Sequence, residues 1–223
     1  MRKFADIRAD AEARKGGAEA LQAMLDEHNY QRDISELGDD RLLSEFSKRV
    51  FQAGFNWTVV ENKWPGFEEA FHGFDIGRNA MMSDEDLDRH LKDTRIVRHA
   101  KKILSVRDNA VFLGDLAQEH GRAARFFQDW PSSDVVSLWD IMKKRGNRLG
   151  GTTAQYGLRF MGKDCFILSR SVVAAMNRAG VIDGAATSKG AQRKVQEAFN
   201  QWQAETGLSY NHLSRILAMS VPD

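Results

Sequence analysis

The sequence predicts an all-α protein, and three observations carry that expectation. Apolar residues recur at intervals of three and four along most of the 223 residues. Only three prolines interrupt the chain, at Pro65, Pro131 and Pro222. No stretch alternates apolar with polar residues as a half-buried strand would.

Taken in order, Leu21, Met24, Leu25 and His28 share one helical stripe, and Leu42, Phe46, Val50 and Ala53 share a second. Ser83, followed by Asp84, Glu85 and Asp86, is an N-cap with an acidic first turn, opening a helix through Leu87 and Leu91. The run Ile96, Ala100, Ile103, Leu104, Arg107, Val111 predicts a long helix that ends at Gly114. Beyond Pro131, Ser132 and Ser133 offer a cap for a helix with Val135, Leu138, Trp139 and Met142 on one face, stopped by Gly146. A hairpin and a second helix follow. Ser188 caps a helix through Val195, Phe199 and Trp202, Gly207 ends it, and a last helix forms around Leu213, Ile216 and Leu217. The glycine-rich stretch 180–190 is the expected linker, and no internal repeat is visible.

With 42 % apolar residues, the chain can bury a core as one domain or as one domain with a small lobe. No run of 18 apolar residues exists and the first residues are charged, so neither a membrane span nor a signal peptide is expected, and a cytoplasmic protein is. The single cysteine, Cys165, excludes an intramolecular disulfide and any cysteine-rich zinc site. The histidines lack metal-ligand spacing, so no metal or cofactor is expected. The net charge of +1 says little, yet between residues 141 and 170 Lys143, Lys144, Arg145, Arg148, Arg159, Lys163 and Arg170 face only Asp164. Such local charge suits a phosphate backbone.

Two short stretches carry the functional reading. Gln52-Ala-Gly-Phe-Asn-Trp57 is a small-residue turn that presents aromatics. Leu149-Gly-Gly-Thr-Thr-Ala154, after Lys143-Lys-Arg-Gly146, looks like the hairpin of a helix-hairpin-helix. Gly150 and Gly151 let a ligand approach the backbone, and the amides of Thr152 and Thr153 open a helix whose N-terminus can hold phosphate without reading sequence. With Lys144, Arg145 and Arg148 alongside, these residues are the candidate DNA contacts. A bare Gly-Gly between helices is also an ordinary turn.

The run Phe51-Gln-Ala-Gly-Phe-Asn-Trp-Thr-Val-Val60, with Phe67-Glu-Glu-Ala-Phe-His-Gly-Phe-Asp75, Ile96-Val-Arg-His-Ala-Lys-Lys-Ile103, Asn109-Ala110, Lys143 to Gly146, Gly151 to Thr153 and Tyr156, resembles the 3-methyladenine DNA glycosylase I family. Gly162 to Arg170 is similar to the segment after the hairpin in the wider helix-hairpin-helix glycosylase superfamily. The resemblance implies a helix-hairpin-helix DNA glycosylase-like bundle over residues 26–180, with helical extensions at 1–25 and 185–223. It implies a monomeric base excision repair enzyme that binds double-stranded DNA without sequence preference, flips out an alkylated, 3-methyladenine-like purine and hydrolyses its N-glycosidic bond. A catalytically weak or inactive damage-recognition protein on the same scaffold is the alternative, and a helical toxin–antitoxin or regulatory protein a more distant one.

The departures from the family concentrate in the pocket. By ungapped count the family's pocket glutamate falls on Arg49 and its pocket tyrosine on Glu27, while the stacking aromatic is kept as Trp57. The superfamily's catalytic aspartate falls on Arg170, beside Ser169, so no catalytic residue is assigned. The family's zinc cysteines are missing, although His28 stands where one histidine ligand would. Trp57, Tyr156, Phe55, Arg49 and Glu27 are the candidate base-pocket residues. A tryptophan late in an apolar helix is more often core, and the family match makes Trp57 as readily a stacking platform, whereas for Trp64 and Tyr156 core is favoured. Glu61 and Asp164 are the nearest spare carboxylates and read as solvated or capping groups, and His99 as structural. An unpaired Arg49 would repel a cationic base by about 4 kcal/mol at ~4 Å and an effective dielectric of 20. A buried arginine left alone costs about 3–5 kcal/mol, so the sequence predicts a Glu27–Arg49 ion pair that gives the pocket a nearly neutral floor.

Overall fold

A computed structural model describes residues 1–27 and 33–222; His28 lies outside the described residues. Among the described residues the regular structure is helical throughout, with no strand. The helices are α1 (Phe4–Lys15), α2 (Ala18–Glu27), α3 (Asp39–Gln52), α4 (Trp57–Ala70), α5 (Ile76–Ala80), α6 (Asp84–Lys92), α7 (Ala100–His120), α8 (Ala123–Asp129), α9 (Val135–Arg145), α10 (Thr152–Phe160), α11 (Arg170–Arg178), α12 (Lys189–Thr206) and α13 (Tyr210–Met219). They form two compact units, each discontinuous in sequence. One holds residues 1–31, 131–138 and 162–223; the other holds 32–130 and 139–161.

In the first unit α13 packs on α1, α11 and α12. Phe4, Phe166, Phe199, Trp202, Leu213 and Leu217 are buried there, with Phe166 stacked on Phe199 at 4.1 Å. Asp164 caps α13 by accepting the N–H groups of Tyr210 and Asn211, at 3.2 and 2.8 Å. Both terminal segments, 1–25 and 185–223, belong to this unit. The glycine-rich stretch 180–190 joins α11 to α12 within it and is no linker between units, being pinned where Gly184 exchanges hydrogen bonds with the Asn177 side chain.

The second unit is built around α3 and α7, which pack on each other and receive α8, α5 and α10. Leu42, Phe46, Val50, Ile103, Val106, Ala110 and Leu113 are buried. A Cβ added at Gly157 on α10 would lie 2.8 Å from the Phe46 ring, so glycine is what lets α10 lie directly on α3.

Local signals behave as the sequence predicts at several ends. Ser83 and Asp86 form a reciprocal capping box, Ser188 caps α12, and Gly207 ends it in the left-handed region. The long helix differs from expectation. It starts at Ala100 and passes through Gly114 to a stop at Gly121, because buried Leu116 extends the apolar stripe for another two turns.

Candidate functional site

The chain between α3 and α4 is shaped by small residues. Gly54 has φ +76°, which closes a tight turn after Gln52. The Asn56 side chain then accepts the Thr58 N–H at 2.9 Å and caps α4. Trp57 is therefore the first residue of a helix rather than a late, buried one, and it is 44 % exposed. Phe55, at the tip of the turn, is 40 % exposed.

Lys102 on α7 holds this turn from beneath. Only 5 % exposed, its ammonium donates to the carbonyls of Phe51 and Ala53 at 3.0 and 2.6 Å, acceptors that the end of α3 leaves open. It also lies 4.3 Å from the centre of the Phe55 ring. Burial, and secondarily the charge of Arg148, pulls its pKa down to about 8.

The turn walls a cavity of about 260 Å³. Arg49, Gln52, Phe55 and Trp57 line one side, and Thr152, Thr153 and Tyr156 from the start of α10 line the other. Trp57 meets Tyr156 edge-on at 5.6 Å and Phe160 at 6.5 Å. Four of the expected pocket residues, Trp57, Tyr156, Phe55 and Arg49, thus come together.

Arg49 is 6 % exposed and its partner is on its own helix. Its Nε donates to Glu45 Oε1 at 2.6 Å and its Nη1 to Gln52 Oε1 at 2.7 Å. Gln52 in turn donates to Glu61 at 2.9 Å, and Glu61 pairs with Lys48 at 2.7 Å. Glu61 is thereby tied into this chain instead of being merely solvated. The expectation that Glu27 neutralises Arg49 gives way to Glu45, one helical turn back; Glu27 is an exposed residue at the end of α2, in the other unit. The Arg49 guanidinium also sits 4.0 Å from the centre of the Phe160 ring and 5.5 Å from that of Trp57, so two aromatic rings hold it as a cation.

The hairpin is anchored by one buried side chain. Asn109 on α7 accepts the Asn147 N–H at 2.8 Å and donates to the Asn147 carbonyl at 3.0 Å. Leu149 is fully buried below it. Gly151 has φ +57°, and a Cβ there would meet nothing, so backbone angle rather than crowding demands glycine. Among the described residues no side chain caps α10, and none accepts from the Thr152 and Thr153 amides. Of the expected basic contacts Lys144 and Arg148 are exposed. Arg145 is committed to Glu119 by two hydrogen bonds, at 3.0 and 2.6 Å, and Arg159 and Lys163 are buried. The cluster that looked continuous in sequence is therefore narrower in space.

Glu45, Gln52, Phe160 and Lys102 are site residues that the sequence reading passed over. The Glu45–Arg49 spacing of four was a visible signal; the carbonyl-capping role of Lys102 had none.

The profile of the methyladenine glycosylase family matches residues 22–187. DNA-3-methyladenine glycosylase 1 of Escherichia coli is 27 % identical over 58 % of this chain and 79 % of its own length. A crystal structure of 3-methyladenine DNA glycosylase I superposes with TM-score 0.50 at 28 % identity, covering 58 % of this chain and 81 % of that one. The Methanocaldococcus jannaschii 8-oxoguanine glycosylase/lyase bound to DNA aligns over 95 % of this chain and 94 % of its own, with TM-score 0.58 at 15 % identity, and shows the shared fold alone. No helix among the described residues is long and apolar enough to cross a membrane. Matched over well more than half its length, this all-α chain belongs to the methyladenine glycosylase family of base excision repair, hydrolases of N-glycosyl bonds.

Proposed function

We propose that this protein grips double-stranded DNA without reading its sequence, draws an alkylated purine out of the stack into the cavity beside Trp57, and hydrolyses the N-glycosidic bond as a monomer. The observation that carries this reading is a shared wall. Thr152 and Thr153 supply the open amides of the hairpin and also line the aromatic cavity. A phosphate held at that helix start is therefore one short step from a base in the cavity, as extrusion about the backbone requires.

In this assignment Gly150, Gly151, Thr152 and Thr153 hold the backbone through main-chain groups, with Lys144 and Arg148 as counter-charges and Arg145 secondary because Glu119 already engages it. Trp57, Tyr156 and Phe55, which line the cavity, flank the base. Glu27 takes no role, since Glu45 already balances Arg49.

The test is a single-turnover assay on methylated duplex DNA, scoring released base and alkali-labile abasic sites. Stoichiometric release that Trp57→Ala slows supports the reading. Tight binding to damaged duplex with no base released would instead mark a damage-recognition protein.

A further inference from the structure

Arg49 is the charged side chain among the described residues that line the Trp57 cavity. Its guanidinium, a planar cation, is already lodged against the rings of Phe160 and Trp57 at 4.0 and 5.5 Å. Those faces are where an aromatic pocket would hold a cationic base. The Glu45–Arg49 pair is also divided between two cavities along α3: Arg49 lines this one, while Glu45 lines its neighbour. Among the described residues, no carboxylate lines the Trp57 cavity. Nε and Nη1 of Arg49 are taken by Glu45 and Gln52, whereas Nη2 has no hydrogen-bond partner among the described residues. The cavity therefore presents a positive hydrogen-bond donor and no acid.

We infer that the substrate is a neutral modified purine with a nitrogen or oxygen acceptor on the edge facing Arg49, and that Arg49 stabilises this base as it departs. The inference rests on the glycosylase reading above. In the hydrolysis the C1′–N bond breaks with its electron pair going to the base nitrogen, and the oxygen of water bonds to C1′. One proton of that water ends on the base, and the other stays on the new hydroxyl. A cationic purine leaves as a neutral molecule, so a nearby cation only weakens its binding. A neutral purine instead develops negative charge as the bond opens, and a fixed guanidinium N–H aimed at its acceptor grows stronger toward the transition state. The arginine thus opposes the binding of one class of base and assists the departure of the other.

The experiment is single-turnover release by the whole protein from three matched duplexes containing 1,N6-ethenoadenine, hypoxanthine or the cationic 3-methyladenine. The unmodified protein should release at least one neutral base faster than 3-methyladenine. Arg49→Gln should slow that release by about 100-fold, the usual cost of losing one preorganised donor, with Arg49→Lys intermediate. Binding of the three duplexes on ice, read by the anisotropy of a labelled strand before release, gives a readout independent of turnover, since 3-methyladenine is cationic while it is bonded to the sugar; the unmodified protein should favour the hypoxanthine duplex over the 3-methyladenine duplex and lose that preference in Arg49→Gln. Faster release of 3-methyladenine than of either neutral base by the unmodified protein would overturn the inference and leave the glycosylase reading standing. No release from any of the three duplexes would remove both.

Discussion

Two cavities lie along α3, each lined by an arginine and a tryptophan, and they differ in how far the arginine is engaged. At the first, Arg41 makes two hydrogen bonds of 3.0 Å to Glu68 and donates further to Asp40 and the Gly73 carbonyl. Glu68 also accepts from Ser44 at 2.8 Å and from the Trp64 indole at 3.1 Å. Burial pushes its carboxyl up, but these donors, Arg41 foremost, hold it below the usual glutamate range. Trp64 is stacked on Phe67 and Phe74 at 4.9 and 5.4 Å. At the second, Arg49 keeps one nitrogen without a partner among the described residues and Trp57 leaves nearly half its surface bare. The same residue types thus build a scaffold where every donor is used and a site where one is held back.

Truncating the two tryptophans should separate these roles most widely. Trp64→Ala removes a stacked, half-buried ring and should cost about 3 kcal/mol of unfolding free energy, read from urea denaturation. Trp57→Ala should cost less than about 1 kcal/mol while weakening damaged-base binding by about 10- to 100-fold, the worth of one base–aromatic stack. Equal stability losses for the two would erase the distinction.

The carboxylates give the next contrast. Glu45→Gln leaves the buried Arg49 without its counter-charge and should destabilise by about 3 kcal/mol. Glu68→Gln keeps hydrogen-bonding capacity and leaves Arg41 its bonds to Asp40 and Gly73, so about 1–2 kcal/mol is expected. The reverse order in thermal or urea unfolding would show that the open site is the better supported of the two.

At the hairpin, the Lys144→Glu, Arg148→Glu double variant should weaken binding to any duplex and lower the slope of log affinity against log salt by about one for each lost phosphate contact. Arg145→Gln should change that slope less, because its charge is already balanced by Glu119. A salt titration in which Arg145 matters most would redraw the interface.

The smallest effect concerns Lys102. Its folded pKa of about 8 lies below the 10.5 of an ordinary lysine, so the unfolded chain binds more protons between those values. This group's contribution to stability should therefore rise as pH climbs from about 8 towards 10.5. A urea midpoint that rises from pH 8 to 9.5 in the unmodified protein, and loses that rise in Lys102→Met, is the expected result; identical slopes would place the ammonium in a wetter setting.

Much of this was written locally in the chain. The cap at Ser83, the stops at Gly207 and Gly146 and the turn at Gly54 depend on a few neighbouring residues and were legible as such. Gly114 misled because a helix tolerates glycine where the apolar stripe continues beyond it, as Leu116 does here. The need of Arg49 for a partner followed from burial alone, but the choice of Glu45 over Glu27 depended on which face of α3 turns inward. Lys102 carries no local signal, because its acceptors are main-chain carbonyls some fifty positions away.

The Asn109 clamp gives the hairpin an entropic character of its own. A single amide side chain accepts one main-chain group of Asn147 and donates to the other, as a neighbouring peptide unit would, so the loop is held by something outside itself. A loop ordered in advance gives up little freedom when a phosphate arrives, and more of the contact energy remains as affinity. The side chains at 144 and 148 are then free to be exchanged for others that tune charge, while position 109, which touches no ligand, tolerates little change.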